Sequence, residues 1–274
     1  MTGCGLSTCE HKFETLNLET QYFLIVGTDT GVGKTVFSGL FTQYLMDCGV
    51  GVRAVKPFCS GGKADIEFLQ AAQSGLGHED LNFWYSDEPI SPAAWELRHG
   101  QAVDFEGAVD WVKSRQWPVG SGKASLQVAG GSPQPSVLLV EGVGGLLAPL
   151  AKGKTVASLG QAIGVQLVVV APNRVGVVNQ VLLTVEAATK RGLKVALVVL
   201  MEQKEPDDSV PENADLIRQN LPEMTGFKGV IEFPYLGPDA SGPSLIPVHA
   251  NEAGKVLSQV AELLALSGPS GPCD

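Results

Sequence analysis

The residues best suited to do chemistry lie in a glycine-rich stretch near the start of the chain. The stretch reads Gly27-Thr28-Asp29-Thr30-Gly31-Val32-Gly33-Lys34-Thr35, between an apolar run (residues 22–26) and a helical pattern (residues 36–48). Glycines let the backbone approach a phosphate, and the amides at a helix N-terminus bind an anion. A lysine neutralises phosphate charge, and a threonine hydroxyl ligates Mg²⁺. The pattern therefore predicts a phosphate-binding loop in which Lys34 contacts phosphate and Thr35 contacts the metal.

The length of this loop departs from the usual pattern for such loops. Five residues, and not four, separate Gly27 from Gly33. Asp29 also stands at the early loop position where one class of regulatory ATPases carries a lysine.

Three more charged residues are placed by the segments around them. Lys56 lies near the end of a predicted strand (residues 52–57), and Glu141 directly follows another (residues 137–140). The carboxyl ends of parallel strands meet at one edge of a sheet, so both side chains are expected beside the phosphate loop. Glu141 is predicted to hold Mg²⁺. Asp65 opens a helical pattern, and taken alone it is best explained as a helix cap or first-turn acid.

Composition excludes several classes of partner. The 274 residues carry a formal charge of −10, which argues against a nucleic-acid or acidic-membrane surface. Apolar runs such as residues 167–171 are too short to cross a bilayer, and residues 1–20 do not resemble a signal peptide. Five scattered cysteines fit a reducing compartment, so we expect a cytoplasmic protein. Cys4, Cys9 and His11 could be metal ligands, but their unpatterned setting favours a tail.

Strand-like and helix-like segments alternate along the chain. This alternation predicts an α/β fold with a parallel sheet covered by helices on both faces. We expect a single domain over residues 21–266, with a disordered extension before it (1–20) and a loose tail after it (267–274). Residues 75–100 are expected to be rich in loops, and residues 117–136 to form a surface loop. The last helix is predicted over residues 252–266.

Several segments together resemble one enzyme family. They are the long loop, Val55-Lys56-Pro57 with Ser60-Gly61, Ser91-Pro92, Glu141-Gly142-Val143-Gly144-Gly145, and Val178-Asn179-Gln180-Val181-Leu182-Leu183-Thr184. In this order and spacing, over about residues 22–240, they resemble the dethiobiotin synthetases of the P-loop superfamily. The resemblance implies closure of a cyclic urea from 7,8-diaminononanoate and CO₂, with ATP and Mg²⁺.

The same resemblance implies roles for individual residues. Lys56, Lys34 and Thr30 would act at the reacting groups, and Thr35, Asp65 and Glu141 would hold Mg²⁺. Ser60 would bind substrate, whose carboxylate tail would lie against the helix start Gly176-Val177-Val178-Asn179 of a partner subunit in a homodimer. Further nucleotide contacts are implied for Gly31, Val32, Gly33, Val36, Gly142, Val143, Gly144, Glu202, Pro234, Tyr235 and Leu236.

Two other functions compete with this one. A regulatory ATPase of the partitioning or cell-division type would share the fold, but it would carry a loop lysine at the position of Asp29. An amidotransferase-type synthetase, such as the cobyrinate family, would need a glutaminase domain with a nucleophilic cysteine. We see no room for that domain in 274 residues.

Two positions depart from the family pattern. Between Gly61 and Asp65 only three residues intervene, whereas family members commonly have more, so the metal role of Asp65 is less secure than that of Glu141. Met201-Glu202 stands where relatives usually have Asn-Asp, whose amide reads adenine. A thioether accepts hydrogen bonds weakly and donates none, so we expect relaxed nucleotide selectivity.

Overall fold

The computed structural model describes residues 21–73, 75–115, 136–221 and 226–266. Its main feature is a six-stranded parallel sheet. The strands are β1 (Gln21–Gly27), β2 (Gly51–Val55), β5 (Ser136–Gly145), β8 (Gln166–Pro172), β9 (Lys194–Met201) and β10 (Gly229–Phe233). Their order across the sheet is β10-β9-β8-β1-β5-β2, which places β1 between β8 and β5.

Two small sheets accompany the large one. The first is a parallel pair, β3 (Phe58–Ser60) with β4 (Trp84–Ser86). The second is an antiparallel pair, β6 (Pro149–Ala151) with β7 (Lys154–Thr155).

Helices cover both faces of the large sheet. One face carries α1 (Lys34–Asp47), α2 (Ala64–Ala71), α9 (Ile246–Glu252) and α10 (Gly254–Leu263). The other carries α5 (Phe105–Ser114), α6 (Val156–Ile163), α7 (Val177–Thr189) and α8 (Val210–Asn220). Two further helices are α3 (His78–Leu81) and α4 (Pro92–His99), and a 3₁₀ turn spans Pro243–Leu245. The predicted fold class is confirmed, and across the described ranges no helix has the length and apolarity to cross a bilayer.

Strand β1 shows why the sheet strands have apolar sequences without alternation. Phe23 and Ile25 belong to the core beneath α1, whereas Leu24 and Val26 belong to the core beneath α5 to α8. Because both sides of the strand are buried, both must be apolar. At the start of β1, Gln21 Nε2 donates a hydrogen bond to the Ala265 carbonyl at 3.4 Å. The first and last parts of the described fold therefore lie close together.

The structure corrects three expectations from the sequence. The segment 75–100 is not mainly loop, since it contains α3, β4 and α4. Ser91 caps α4 by accepting from the Ala94 amide, and Pro92 is the first residue of that helix. The predicted last helix (252–266) is found as the shorter α10 (Gly254–Leu263), and a separate helix that the sequence did not predict, α9 (Ile246–Glu252), precedes it. Strand β5 begins at Ser136 and continues past Glu141 to Gly145, while residues 1–20, 117–135 and 267–274 lie outside the described residues.

A close approach of α1 to α2 generates a stability prediction. A methyl group on Gly39 would lie 2.4 Å from a ring carbon of buried Phe68. Gly39→Ala should therefore lower the free energy of unfolding by roughly 1–3 kcal/mol, less a helix-propensity gain of about 1 kcal/mol. Gly254→Ala is the matched control because no atom lies within 4 Å of its added methyl. Chemical denaturation would contradict the close packing if both variants proved equally stable.

Candidate active site

The phosphate loop has the backbone that its glycines predict. Gly31 and Gly33 have positive φ angles of 72° and 96°, a conformation strained for other residues. Gly33 precedes α1 and provides no side-chain cap, so the first amides of α1 remain available to an anion. Gly27 must be glycine because a methyl there would lie 2.4 Å from the Asp29 carbonyl oxygen. These backbone features are the ones that a phosphate-binding loop requires.

Lys34 folds back over this loop. Its side chain is 6% exposed, and Nζ donates to the Asp29 carbonyl at 3.0 Å. Burial lowers the pKa of Lys34 to about 8, although the neighbouring Glu141 acts in the opposite direction. Thr30 is exposed and faces the strand β5 end, where a methyl on Gly144 would lie 3.5 Å from its Oγ1.

An ion cluster joins the end of β2 and Glu141 within β5 to the start of α1. Lys56 Nζ lies 2.6 Å from Asp65 Oδ2 and 2.6 Å from Glu141 Oε1. The Thr35 hydroxyl donates to Glu141 Oε1 at 2.6 Å. Glu141 and Lys56 are 1% and 3% exposed, whereas Asp65 is half-exposed. The structure thus brings together Lys56 and all three residues predicted to hold Mg²⁺.

The charges in this cluster stabilise one another. Burial disfavours the ammonium form of Lys56, but Glu141 and Asp65 outweigh burial and raise its pKa. Burial also disfavours the Asp65 carboxylate, but Lys56 outweighs that effect and lowers the pKa of Asp65. At neutral pH, Lys56 is therefore an ammonium and Asp65 a carboxylate. The sequence suggested a lysine facing phosphate; it did not indicate that Lys56 is also the counter-ion of a buried acid.

The cluster fits Mg²⁺. Glu141 Oε2 is buried, and no described residue donates a hydrogen bond to it. Mg²⁺ prefers hard oxygen ligands and usually takes one or two carboxylates together with substrate phosphates. Thr35, Asp65 and Glu141 supply oxygens of this kind and would hold the ion. A cation there would compete with the Lys56 ammonium for the same carboxylate oxygens.

Ser60 and Gly61 are fixed by a segment that the sequence did not predict to be ordered. Ser60 ends β3, which pairs with β4, and the Gly61 amide donates to the Ser86 carbonyl at 3.0 Å. Gly61 has φ 82°, and a methyl on it would lie 3.1 Å from Cβ of Pro89. The residues around 84–89 therefore set where Ser60 stands beside Lys56.

The start of α7 is open to solvent, as an anion site requires. Gly176 has φ 88° and makes no side-chain cap, and Gly176 and Asn179 are exposed. Val177 is buried and Val178 half-buried. Binding of a substrate carboxylate there stays a prediction.

Around the expected base site, Met201 is buried against the phosphate loop. It is 8% exposed, and its Cε would lie 3.0 Å from a methyl placed on Gly33. Glu202, the next residue, accepts a hydrogen bond from Asn173 Nδ2 at 2.8 Å. Of the other expected contacts, Pro234 and Tyr235 are exposed and Leu236 is half-buried.

The remaining expected nucleotide contacts lie on the same edge of the sheet. Val32 is buried, Val36 is half-buried in the first turn of α1, and Gly142 and Val143 continue β5 beyond Glu141. Sequence reasoning missed Asn173, although it directly follows strand β8. The rule that identified Lys56 and Glu141, a polar residue after a buried strand, would have found it.

Comparison with known proteins agrees with this geometry. The model of a family described as an AAA domain matches residues 21–238. The MinC:MinD cell division complex of Aquifex aeolicus contains a chain of similar fold (TM-score 0.51, 13% identity, 91% of this chain and 98% of that chain). The sheet and its loop thus define an α/β nucleotide-binding protein of the P-loop class.

Sequence relatives define the family within that class. The chain is 35% identical over 195 residues to an ATP-dependent dethiobiotin synthetase of Anaeromyxobacter sp. (strain Fw109-5), covering 69% of this chain and 80% of the relative. It is 30% identical over 214 residues to that of Corynebacterium glutamicum (strain R), covering 76% and 84%. The chain belongs to the dethiobiotin synthetase family.

The position of Asp65 predicts a change in metal dependence. Asp65→Asn keeps the first-turn position on α2 but removes the charge that faces Lys56. We expect the Mg²⁺ concentration for half-maximal activity to rise at least ~10-fold, comparable to the loss of a supporting contact at a metal site. Glu67→Gln, an exposed acid in the same first turn, is the control. An unchanged Mg²⁺ requirement in Asp65→Asn would show that Asp65 acts only as a first-turn acid of α2.

The burial of Met201 makes nucleotide selectivity a second prediction. Its thioether packs on Gly33, so adenine is left to Glu202 and to backbone groups near Pro234. Two missing hydrogen bonds should reduce discrimination between ATP and other nucleotides by about 5- to 150-fold relative to family members with Asn-Asp. The measurement is kcat/KM for ATP, GTP and CTP at fixed Mg²⁺. A preference for ATP above ~10³ would show that the remaining groups read the base fully.

Proposed function

We infer that this protein closes the ureido ring of dethiobiotin, consuming 7,8-diaminononanoate, CO₂ and ATP and releasing ADP and phosphate. The observation that carries the inference is the convergence of Lys34, Lys56, Thr35, Asp65 and Glu141 beside the ends of β1 and β2 and the second half of β5. Family membership supplies the substrate. A regulatory ATPase is not favoured, because the likeness to the MinC:MinD complex is one of fold and Asp29 replaces the expected loop lysine.

The reaction proceeds in three bond-forming steps. One amine nitrogen attacks CO₂ and loses a proton, which gives a carbamate. A carbamate oxygen then attacks the γ-phosphorus of ATP, and the bond to the β–γ bridging oxygen breaks as ADP leaves. The second amine attacks the carbonyl carbon of this mixed anhydride, the C–O bond to phosphate breaks, and the ring closes. Each step moves negative charge among oxygens and therefore depends on positioned cations more than on a strong base.

The site supplies those cations from two strands. Lys34 and Lys56 bind the γ-phosphate and the carbamate, while the amides of Gly31 to Thr35 bind the neighbouring phosphates. Thr30 and Ser60 orient the carbamate and the amines. Thr35, Asp65 and Glu141 would hold Mg²⁺, which neutralises phosphate charge when bound. Lys56, which is paired with Asp65 and Glu141, would turn towards the reacting groups if Mg²⁺ took its place at these carboxylates.

We also propose a homodimer in the cytoplasm. The exposed α7 start would bind the carboxylate tail of the substrate in the partner subunit's site. Val175, just before α7, is 72% exposed, and Leu183, on α7, is 57% exposed. Exposed apolar side chains of this kind suit a contact with another protein. The net charge of −10 gives no surface for nucleic acid or an acidic membrane.

The function is tested by phosphate release from ATP. Release should require both diaminononanoate and bicarbonate, and dethiobiotin should form in equal amount. Release without the diamine, or release dependent on a protein or membrane partner, would favour the regulatory alternative.

The role of Lys56 is tested by two substitutions. Lys56→Ala should lower ring closure by ~10²–10³, the cost of losing one preorganised donor to developing charge. It also leaves buried Glu141 without its counter-ion, which destabilises proteins by roughly 3–5 kcal/mol. Lys56→Arg keeps the positive charge, so the protein should remain folded. Its longer, planar guanidinium should not reproduce the ammonium position, so activity should fall. Near-wild-type turnover in folded Lys56→Ala would contradict the assignment.

A further inference from the structure

A buried pair of amides lies beside the site without a role in the reaction. Asn173 is 0% exposed and Asn213, on α8, is 2% exposed. Asn213 Nδ2 donates to Asn173 Oδ1 at 2.9 Å, and Asn173 Nδ2 donates to Glu202 Oε1 at 2.8 Å. Because an ionised carboxylate only accepts, Asn173 must present its NH₂ group to Glu202 and its oxygen to Asn213. The hydrogen bonds therefore run in one direction and end at Glu202.

Backbone contacts fix the same residues at the ends of three strands. The Asn173 amide donates to the Met201 carbonyl at 2.8 Å, and the Glu202 amide donates to the Phe233 carbonyl at 2.9 Å. Glu202 is thus held at its backbone by β10 and at its side chain by Asn173. The Glu202 side chain therefore has one oxygen, Oε1, bound to Asn173, while the other, Oε2, points in a different direction.

The opposite side of this network reaches the start of α7. Asn213 Nδ2 also lies 3.1 Å from Ser209 Oγ, and Ser209 donates from its amide to Asp207 Oδ1 at 2.9 Å. Asp207 Oδ2 accepts from the Val175 amide at 2.8 Å, directly before Gly176. The Ser209 hydroxyl also donates to Asp207 Oδ1, and this bond, followed by those from the Val175 and Ser209 amides, holds the pKa of Asp207 below its usual range. One network therefore supports both Glu202 and the backbone that leads into α7.

We propose that Asn173 and Asn213 are positioning residues that fix Glu202 at the nucleotide and the α7 start at the carboxylate tail of the diamine as one rigid unit. This inference rests on the proposed function. It assigns the pair no contact with either ligand. Its distinctive consequence is that one buried amide controls the affinity for two different substrates.

The test is Asn213→Ala in the full chain. The KM for ATP and the KM for the diamine should each rise about 2- to 10-fold, as expected for the loss of one net hydrogen bond, while kcat changes less than about twofold. Direct titration with Mg²⁺ and ADP should show a similar loss of affinity. A purely structural role would lower the folded fraction, and hence apparent kcat, without moving either KM.

Two variants make the test specific. Asn213→Asp has nearly the same shape but, when ionised, cannot donate to Asn173 Oδ1, so both KM values should rise at least as much as in Asn213→Ala. Ile217→Val truncates a fully buried side chain one turn further along α8, and it should lower Tm while leaving both KM values unchanged.

Three results would overturn the inference: wild-type KM values in Asn213→Asp, a rise in only one of the two KM values, or equal changes in Ile217→Val. If the wild type binds ADP but closes no ring, the proposed function fails. An unchanged ADP affinity in Asn213→Ala would then overturn the inference by itself, because Glu202 would not depend on the pair.

Discussion

The site depends on a buried ion pair between Lys56 and Glu141. Glu141 lies on β5, opposite Ile25 of β1, where an isolated buried carboxylate would be very costly. Lys56 at the end of β2 and the Thr35 hydroxyl at the start of α1 make its burial tolerable. The same acid that would hold the metal therefore ties two strands and the phosphate loop together. Burial of Glu141 therefore requires that the end of β2 and the start of α1 lie within a few ångströms of it.

Much of this arrangement follows from sequence, because it depends on local rules. A glycine-rich loop between a buried strand and a helix, and a charged residue after an apolar strand, have few alternative explanations. Lys34, Thr35, Lys56 and Glu141 accordingly come together as the sequence predicts. Asp65 joins them although its sequence context indicates only a helix start, since it is both a first-turn acid and a partner of Lys56.

What the sequence did not predict depends on tertiary contacts. The order within residues 75–100 comes from β4 pairing with the distant β3, and a three-residue strand has no periodicity to detect. The burial of Lys56 and the direction of the Asn213–Asn173–Glu202 chain depend on residues far apart in sequence. Helix α9 was also not predicted, because its seven residues are too few to show a clear helical period.

The contact between Gln21 and Ala265 has a practical consequence. It brings the beginning of β1 and the end of the last helix together at the amino edge of the sheet, opposite the loop and the ion cluster. Domains whose ends lie close together usually tolerate circular permutation and fusion. A fluorescent label or an affinity handle placed next to Gln21 or Ala265 would therefore stand away from the substrates. New ends could also be opened in a surface turn of a variant in which a short linker joins Gln21 to Ala265.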